Sequence, residues 1–376
     1  MTDALDVAVA EIDRLGLDAA VEWIGPVPVV RLLRDGAVIA TGSGKRSLVG
    51  AYYEALEGFF LSRRESRPTT RLLDAAYVAS QPALAADLVV RRWAHDYPTA
   101  VAACSPMRGA GTTLWYPIFL SDPAYHQAPL PGDSVAPYHS FLRYSSSIGT
   151  AAGPTVEAAT RHAVCELVEH DGLSLAMLRW FVAGDPAIDL VDPASLPARI
   201  AELHAEAQAA AEARVHLVDV TTDLDVPVYV AIQDDDSRRP ALFGIGAAPT
   251  GADAAERALQ ELVQMSVAER APSTLDELRP WPRLLDCATL PVRRLVADAD
   301  ARIVPLRTDH VDVRRRLKHK DIELYAYVLT PQPYTLAVVT VVAPGLERFS
   351  LVYAGRPVVP TGRGWTLWTA ATTPAS

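Results

Sequence analysis

Apolar positions recur at helical spacing over residues 4–15, whereas Val21–Ile24 and Val27–Leu33 are short apolar-rich runs on either side of Gly25-Pro26 and predict two strands. A further strand is predicted over Val38–Thr41, after the Gly36 turn, and Ser47 opens a helix expected over Ser47–Ser62. Pro68–Leu130 alternates short helical and extended segments, with Thr113–Leu120 the clearest strand, and His139–Ser147 predicts an extended approach to a glycine-bearing loop. That loop, with Gly149 and Gly153, feeds a helix expected from Pro154 to about Asp171, proline being suited to the first helical position. An alanine-rich helix is predicted over Ala198–Arg214, strands over Val215–Val220, Val226–Gln233 and Leu242–Gly246, and a helix over Asp253–Ala268. Ile322–Leu329 and Leu336–Val342 predict a final strand pair, and Val358–Ser376, with Pro360 and Pro374, a loop-like tail. Helices and strands alternate without an internal repeat, so the predicted class is mixed α/β (α+β).

Three of the predicted helices carry polar pairs where core residues would be expected. Glu54 and Glu57, Glu166 and Glu169, and Glu261 and Gln264 each stand three apart, Arg257 precedes the last pair by four, and His162, Glu166 and Glu169 fall within roughly 60° on one helical face. Ala159, Ala163, Val164, Leu167 and Val168 crowd the rest of that cylinder, so its carboxylates are expensive to hold ionised without a cation or donors. One such pair is an ordinary solvated stripe. Three pairs in apolar helices suggest hard oxygen ligands gathered for Mg2+ and a nucleoside triphosphate. His162 reads as a satisfied core histidine, or as a base or a ligand to a softer metal.

Composition narrows the class. Half of the 376 residues are apolar, enough for a large core, and the formal charge of −10 argues against a nucleic-acid binder. Cys104, Cys165 and Cys287 are too few and too far apart for a disulfide framework or a zinc site, which fits reduced thiols in the cytoplasm. No run approaches a membrane span and the N-terminus lacks a basic signal region, so the chain is expected to be cytoplasmic. Gly42-Ser-Gly-Lys45 before a helix imitates a phosphate loop, but Ile39 stands where a Walker motif needs glycine; an anion site at Lys45 and an ordinary cap both remain open. The basic run Arg314–Lys320 reads as a solvated helix face or, alternatively, as a dock for an acidic peptide.

The order of these segments resembles the YcaO family from about residue 40 to at least residue 350. The likeness rests on Ala51-Tyr-Tyr-Glu-Ala-Leu-Glu57, the Gly149–Asp171 loop and acidic helix, and Asp219-Val-Thr-Thr-Asp-Leu-Asp-Val-Pro-Val228. It continues in the Gly244–Ala247 step, the Arg257–Gln264 helix and Val339–Glu347. The resemblance implies a segment 1–40 covering an edge and a YcaO-like domain over 41–376, with three acidic helices converging on a nucleotide cleft. It implies ATP and Mg2+ as cofactors and ATP-dependent phosphorylation of a peptide amide oxygen in modifying a ribosomally made peptide, giving an azoline, thioamide or amidine. The residues it assigns to Mg-ATP are Glu54, Glu57, Glu166, Glu169, Glu261 and Gln264, with Arg257 on the matching helix; Lys45, from the anion site, and Glu157, one residue early, are further candidate nucleotide contacts, with Glu57, Glu166, Glu169 and Glu261 as metal ligands and no catalytic residue singled out. A peptide substrate is expected, with room for a partner protein and a homodimer and with no nucleic acid or membrane partner.

The match departs from the family at the entrance of the central helix. Pro154 stands at the family's asparagine, Ala158 at its helix-opening glutamate with Glu157 one residue early, and His170 at its arginine. Two other readings therefore stay open: a non-catalytic scaffold binding a precursor peptide or a partner enzyme, and a metal-dependent hydrolase using His162, Glu166 and Glu169.

Overall fold

The two-residue turns Gly25-Pro26 and Asp35-Gly36 fold the N-terminal part into an antiparallel sheet. Gly25, Asp35 and Gly36 take φ of 58°, 51° and 78°, as tight hairpin turns demand. The sheet is built from β1 (Asp18–Ile24), β2 (Val27–Arg34) and β3 (Ala37–Ser43), in the order β1-β2-β3, after a helix over Ala4–Arg14. The chain, a computed structural model, is described at residues 4–45, 47–63, 69–93, 97–108, 111–133, 136–234, 240–267, 275–297, 301–330 and 334–372. Val27, Val30 and Leu32 of β2 are wholly buried, each worth about 1.5–3 kcal/mol by transfer from water.

Beyond the helix Leu48–Ser62, capped by the Ser47 hydroxyl accepting from Gly50 N at 3.1 Å, come β4 (Thr70–Asp74), β5 (Pro98–Pro106), β6 (Leu114–Pro117) and β7 (Thr150–Gly153). The long helix Val156–Met177 leads to β8 (Ile188–Val191), and the helix Ala198–Ala211 to β9 (Val215–Asp219), β10 (Val228–Gln233) and β11 (Phe243–Ala247). After the helix Gly251–Val267 the chain forms β12 (Ala301–Val304), then β13 (Tyr325–Val328) and β14 (Ala337–Val342). Two sheets result besides the first, in the orders β4-β5-β13-β14-β7, with β6 on β5, and β11-β10-β9-β8-β12; only the β8–β12 pair is parallel. Contacts divide the chain into two compact units, Met1–Val164 with Ile322–Pro344, and Cys165–Asp321 with Gly345–Ser376.

Several expectations are corrected. The strand expected over Thr113–Leu120 stops at Pro117, and Ile118–Ser121 is a helical turn; all four of its residues are buried, and a short apolar run does not tell strand from helix. His139–Ser147 is not extended: Ala136–Tyr144 is a 3-10 helix whose buried Tyr138 and Tyr144, six apart, share a face at three residues per turn. The central helix begins at Val156 and not at Pro154, because Thr155 Oγ1 takes the Ala158 N–H at 3.1 Å. It also outruns Asp171: Gly172 lies within it, where a Cβ would press on the Val228 side chain at 3.1 Å and the Val220 carbonyl at 3.2 Å. The tail is not loop throughout, since Trp365–Thr372 is helical; Pro374 and the expected helix end at Ala268 lie outside the described residues.

A geometric repeat underlies a sequence without one. A Cβ on Gly42 would collide with Ala51 O and Ala55 N, and one on Gly244 with Ala258 O and Leu262 N, so each strand meets its helix backbone to backbone. Gly44 and Gly246 repeat the contact one turn earlier in each helix. In this correspondence Ala51 matches Ala258, Glu54 matches Glu261, and Glu57 matches Gln264.

Candidate functional site

In the first unit Glu54 and Glu57 sit on the helix Leu48–Ser62, whose backbone at Ala51–Ala55 lies against Gly42 of β3. Glu54 is exposed and its Oε2 accepts the Ser43 N–H at 3.0 Å, bending over the end of β3; Lys45, half-buried, lies just before the cap. Glu57 is half-buried and takes the Ala152 N–H of β7. Burial, with Glu54 beside it, pushes the Glu57 carboxyl up to about 8 despite that donor. A carboxyl raised by desolvation and a like neighbour is one that a cation would return to its charged form, so this pair fits a divalent ion.

Along the central helix exposure falls steadily. Glu157 and His162 are exposed, Glu166 is half-buried, and Glu169 is 5 % exposed. His162 is therefore not the core histidine expected from its neighbours, being exposed while Ala163, Val164 and Cys165 after it are buried. Glu169 Oε1 accepts the Ala247 N–H at 2.8 Å and a guanidinium N–H of Arg257 at 3.4 Å, and the same Arg257 nitrogen reaches Ala247 O at 3.5 Å. The strand end at β11, the central helix and the Gly251–Val267 helix are thus clasped at one point. On the last of these Glu261 is half-buried and Gln264 buried.

Sequence reasoning missed Tyr353, on the 3-10 helix Phe349–Ala354. Burial and then the charges of Glu261 and Glu166 push its phenol up to about 12, with Arg356 opposing, and its ring stands edge-on to Phe243 at 5.4 Å. His170 holds that segment: its Nδ1 is 2.9 Å from Ser350 Oγ, Ser350 N donates to Ser174 Oγ at 2.7 Å, and Ser174 donates to His170 O at 2.6 Å. No signal in the sequence points to Tyr353, which comes to the acids only through tertiary packing.

Glu347 is a different kind of acid. Its Oε1 accepts from Arg348 N, Phe349 N, Thr361 N and Thr361 Oγ1 at 2.9–3.3 Å, and its Oε2 from Gly362 N and Gly364 N at 3.0 and 2.9 Å. Both oxygens are saturated, so this carboxylate fixes the backbone of residues 348–364 rather than a ligand. Its own N–H donates to Asp171 at 2.9 Å; burial raises Asp171 to about 6 against the nearby Arg363. The basic run is also occupied: Arg316 pairs with Asp225 at 2.8 Å and Lys320 with Asp223 at 3.0 Å, so two cations of the expected acidic-peptide dock are spent internally.

Among the described residues, no three His, Cys, Asp or Glu side chains come together as a ready metal site. Of the three residues in the hydrolase reading, His162 is exposed, Glu166 is half-buried and Glu169 is engaged by Arg257.

A family model described as "YcaO cyclodehydratase, ATP-ad Mg2+-binding" matches residues 41–347. The YcaO protein of Methanopyrus kandleri bound with AMPPCP and Mg2+ superposes at TM-score 0.63 and 17% identity, over 95% of this chain and 93% of that one. A heterocyclase in complex with substrate and cofactor gives TM-score 0.59 and 18% identity, over 92% of this chain and 52% of that one. An uncharacterized protein in the tfuA 3' region of Rhizobium leguminosarum bv. trifolii is 28% identical over 226 residues, 54% of this chain and 52% of its own. The chain thus spans about half the length of that curated relative and of the heterocyclase. With the model covering most of its length, the chain belongs to the YcaO family, an enzyme family of the cyclodehydratase type whose cofactors are ATP and Mg2+.

Proposed function

We propose that this chain activates backbone amides of a ribosomally made peptide in an ATP-dependent reaction: a nucleophile adds at the amide carbon, and the amide oxygen is phosphorylated and leaves as phosphate, giving an azoline with a side-chain thiol or hydroxyl, a thioamide with a sulfur donor or an amidine with an amine. The observation that carries the reading is the clasp of Glu169 and Arg257 on Ala247, with Glu166 and Glu261 acting together on Tyr353. Bound ATP supplies the phosphoryl group that makes the amide oxygen a leaving group, and Mg2+ offsets its charge. The chain's own residues bind and orient. In the second unit Glu166, Glu169, Arg257, Glu261 and Gln264 are the proposed contacts, and in the first Lys45, Glu54 and Glu57, with Glu57, Glu166, Glu169 and Glu261 as the residues that would hold the metal. Gln264, the counterpart of Glu57, offers an oxygen without adding negative charge.

The substrate is a peptide, a partner protein takes part in recognising it, and the reaction belongs in the cytoplasm; no helix among the described residues is long and apolar enough to cross a membrane. Calorimetry with ATP and Mg2+ tests the reading. Heat of binding, with ATP split when peptide is added, is the expected result. A second reading, a scaffold without turnover, draws on His170, whose Nδ1 is engaged by Ser350 at the position where the family carries arginine. Absence of binding heat at millimolar nucleotide selects the scaffold.

A further inference from the structure

All seven residues of β1 are exposed, although β1 is hydrogen-bonded to β2 along its whole length, from Asp18↔Leu33 to Ile24↔Val27. It is an outer strand of its sheet. Its outer edge is lightly protected: Asp18-Ala-Ala-Val-Glu-Trp-Ile24 has no proline, no lysine and no bulge, and its two charges are Asp18 and Glu22, the latter paired with Arg31 of β2. The opposite edge differs, because the register shifts between Leu32 and Leu33 where β2 meets β3. On β1, Ala19, Val21 and Trp23 share one side, and they continue the row formed on β2 by Leu32, Val30 and Pro28. Val21 is 42% and Trp23 56% exposed, while Val30 and Leu32 are fully buried, so the apolar surface runs out of the core onto an open strand.

We infer that β1 pairs antiparallel with β1 of a second copy of this chain, about a two-fold axis through Val21. The choice of partner rests on self-complementarity. In the register that overlaps all seven residues, Val21 faces Val21, Ala19 faces Trp23, Asp18 faces Ile24 and Glu22 faces Ala20 of the copy, so no acid meets an acid. Moving the axis by one residue toward the N-terminus sets Asp18 against Glu22 twice, and moving it the other way sets Glu22 against itself. The fully paired register is thus also the one free of like charges. Pairing closes this edge on both copies, as an isologous dimer does, and joins two apolar rows into one.

Sedimentation of the full chain at high micromolar concentration tests the proposal. Wild type is expected as a dimer. Val21→Lys and Val21→Glu, each placing like charges across the axis, raise the dimer dissociation constant at least about tenfold with an unchanged melting temperature. An equimolar mixture of the two variants regains the dimer, since only the mixed pair sets lysine against glutamate. The three native cysteines are buried, so Val21→Cys gives a clean second readout: a disulfide-linked dimer on mild oxidation, reached even if a charged variant fails to fold. A monomeric wild type overturns the inference, as does a dimer that survives both charges, a mixture that stays monomeric, or failure of the Val21→Cys variant to crosslink. A monomer that loses peptide binding on Val21→Lys would assign the edge to the substrate peptide instead and equally overturns it.

Discussion

Arg257 and Glu169 meet at 3.4 Å over the amide of Ala247, which donates to the same carboxylate oxygen at 2.8 Å. Three chain segments converge on that oxygen. Glu169→Gln keeps its shape but leaves Arg257 facing a neutral group, so stability should fall by about 1–3 kcal/mol together with loss of turnover. Glu166→Gln, at a half-buried position whose charge, like that of Glu261, acts on Tyr353, should abolish turnover with little change in melting temperature. Paired thermal melts and ATPase assays separate the two; equal melting losses would make both acids structural.

The Glu57 carboxyl ties stability to pH. Its folded value of about 8 lies above the ordinary 4.5, so the folded state holds a proton that the unfolded chain has released. Stability of the nucleotide-free protein should therefore fall as pH rises from about 4.5 to about 8, by a few kcal/mol, and Glu57→Gln should remove that fall while matching wild type at low pH. Mg-ATP binding at pH 7 should release this proton, seen as a dependence of binding heat on the ionisation enthalpy of the buffer. Indifference to buffer would detach Glu57 from the metal.

At the start of the central helix, Pro154 and Ala158 stand where the sequence resemblance leads one to expect an amide and an acid. The Thr155 cap makes the first turn regular, so exposed Glu157 does not swing round to stand in for the missing carboxylate. Pro154→Asn with Ala158→Glu should tighten Mg-ATP binding about 10- to 100-fold, and Glu157→Gln should leave it unchanged. Titration calorimetry on the two variants decides the matter: loss of binding in Glu157→Gln would mean a site rebuilt one residue early.

Glu347 anchors the segment that carries Tyr353. Glu347→Gln sets an amide N–H2 against several backbone donors and should cost at least about 3 kcal/mol, with a drop in melting temperature and poorer ATP binding. Near-wild-type melting would show that the segment is held elsewhere.

Where periodicity and turn chemistry agreed, the chain was legible from its residues: the β1–β3 hairpins and the helices bearing Glu54 and Glu261 follow their expected positions within a few residues, and the Glu166 helix starts near its expected start but runs six residues past Asp171. The elements that escaped are those whose order comes from distant partners. Ile188–Val191 and Ala301–Val304 are four-residue strands that gain their bonds from each other across more than a hundred residues. The acids of the candidate site were visible as carboxylates at helical spacing in apolar surroundings. Their different fates were not, because only packing gives Glu169 an arginine, leaves Glu157 in solvent, and brings Tyr353 and Ser350 to the central helix.

The paired glycines have a consequence for how such a site can change over time. Because Gly42 and Gly44, like Gly244 and Gly246, seat their helices chiefly by main-chain contact, the distance between successive ligand positions is a property of the frame more than of the side chains mounted on it. Acids can then be exchanged singly, as glutamine at 264 stands opposite glutamate at 57, while a single methyl group at any of the four glycines would displace a whole ligand-bearing helix. A lineage built this way is free to drift in chemistry and held fast in geometry.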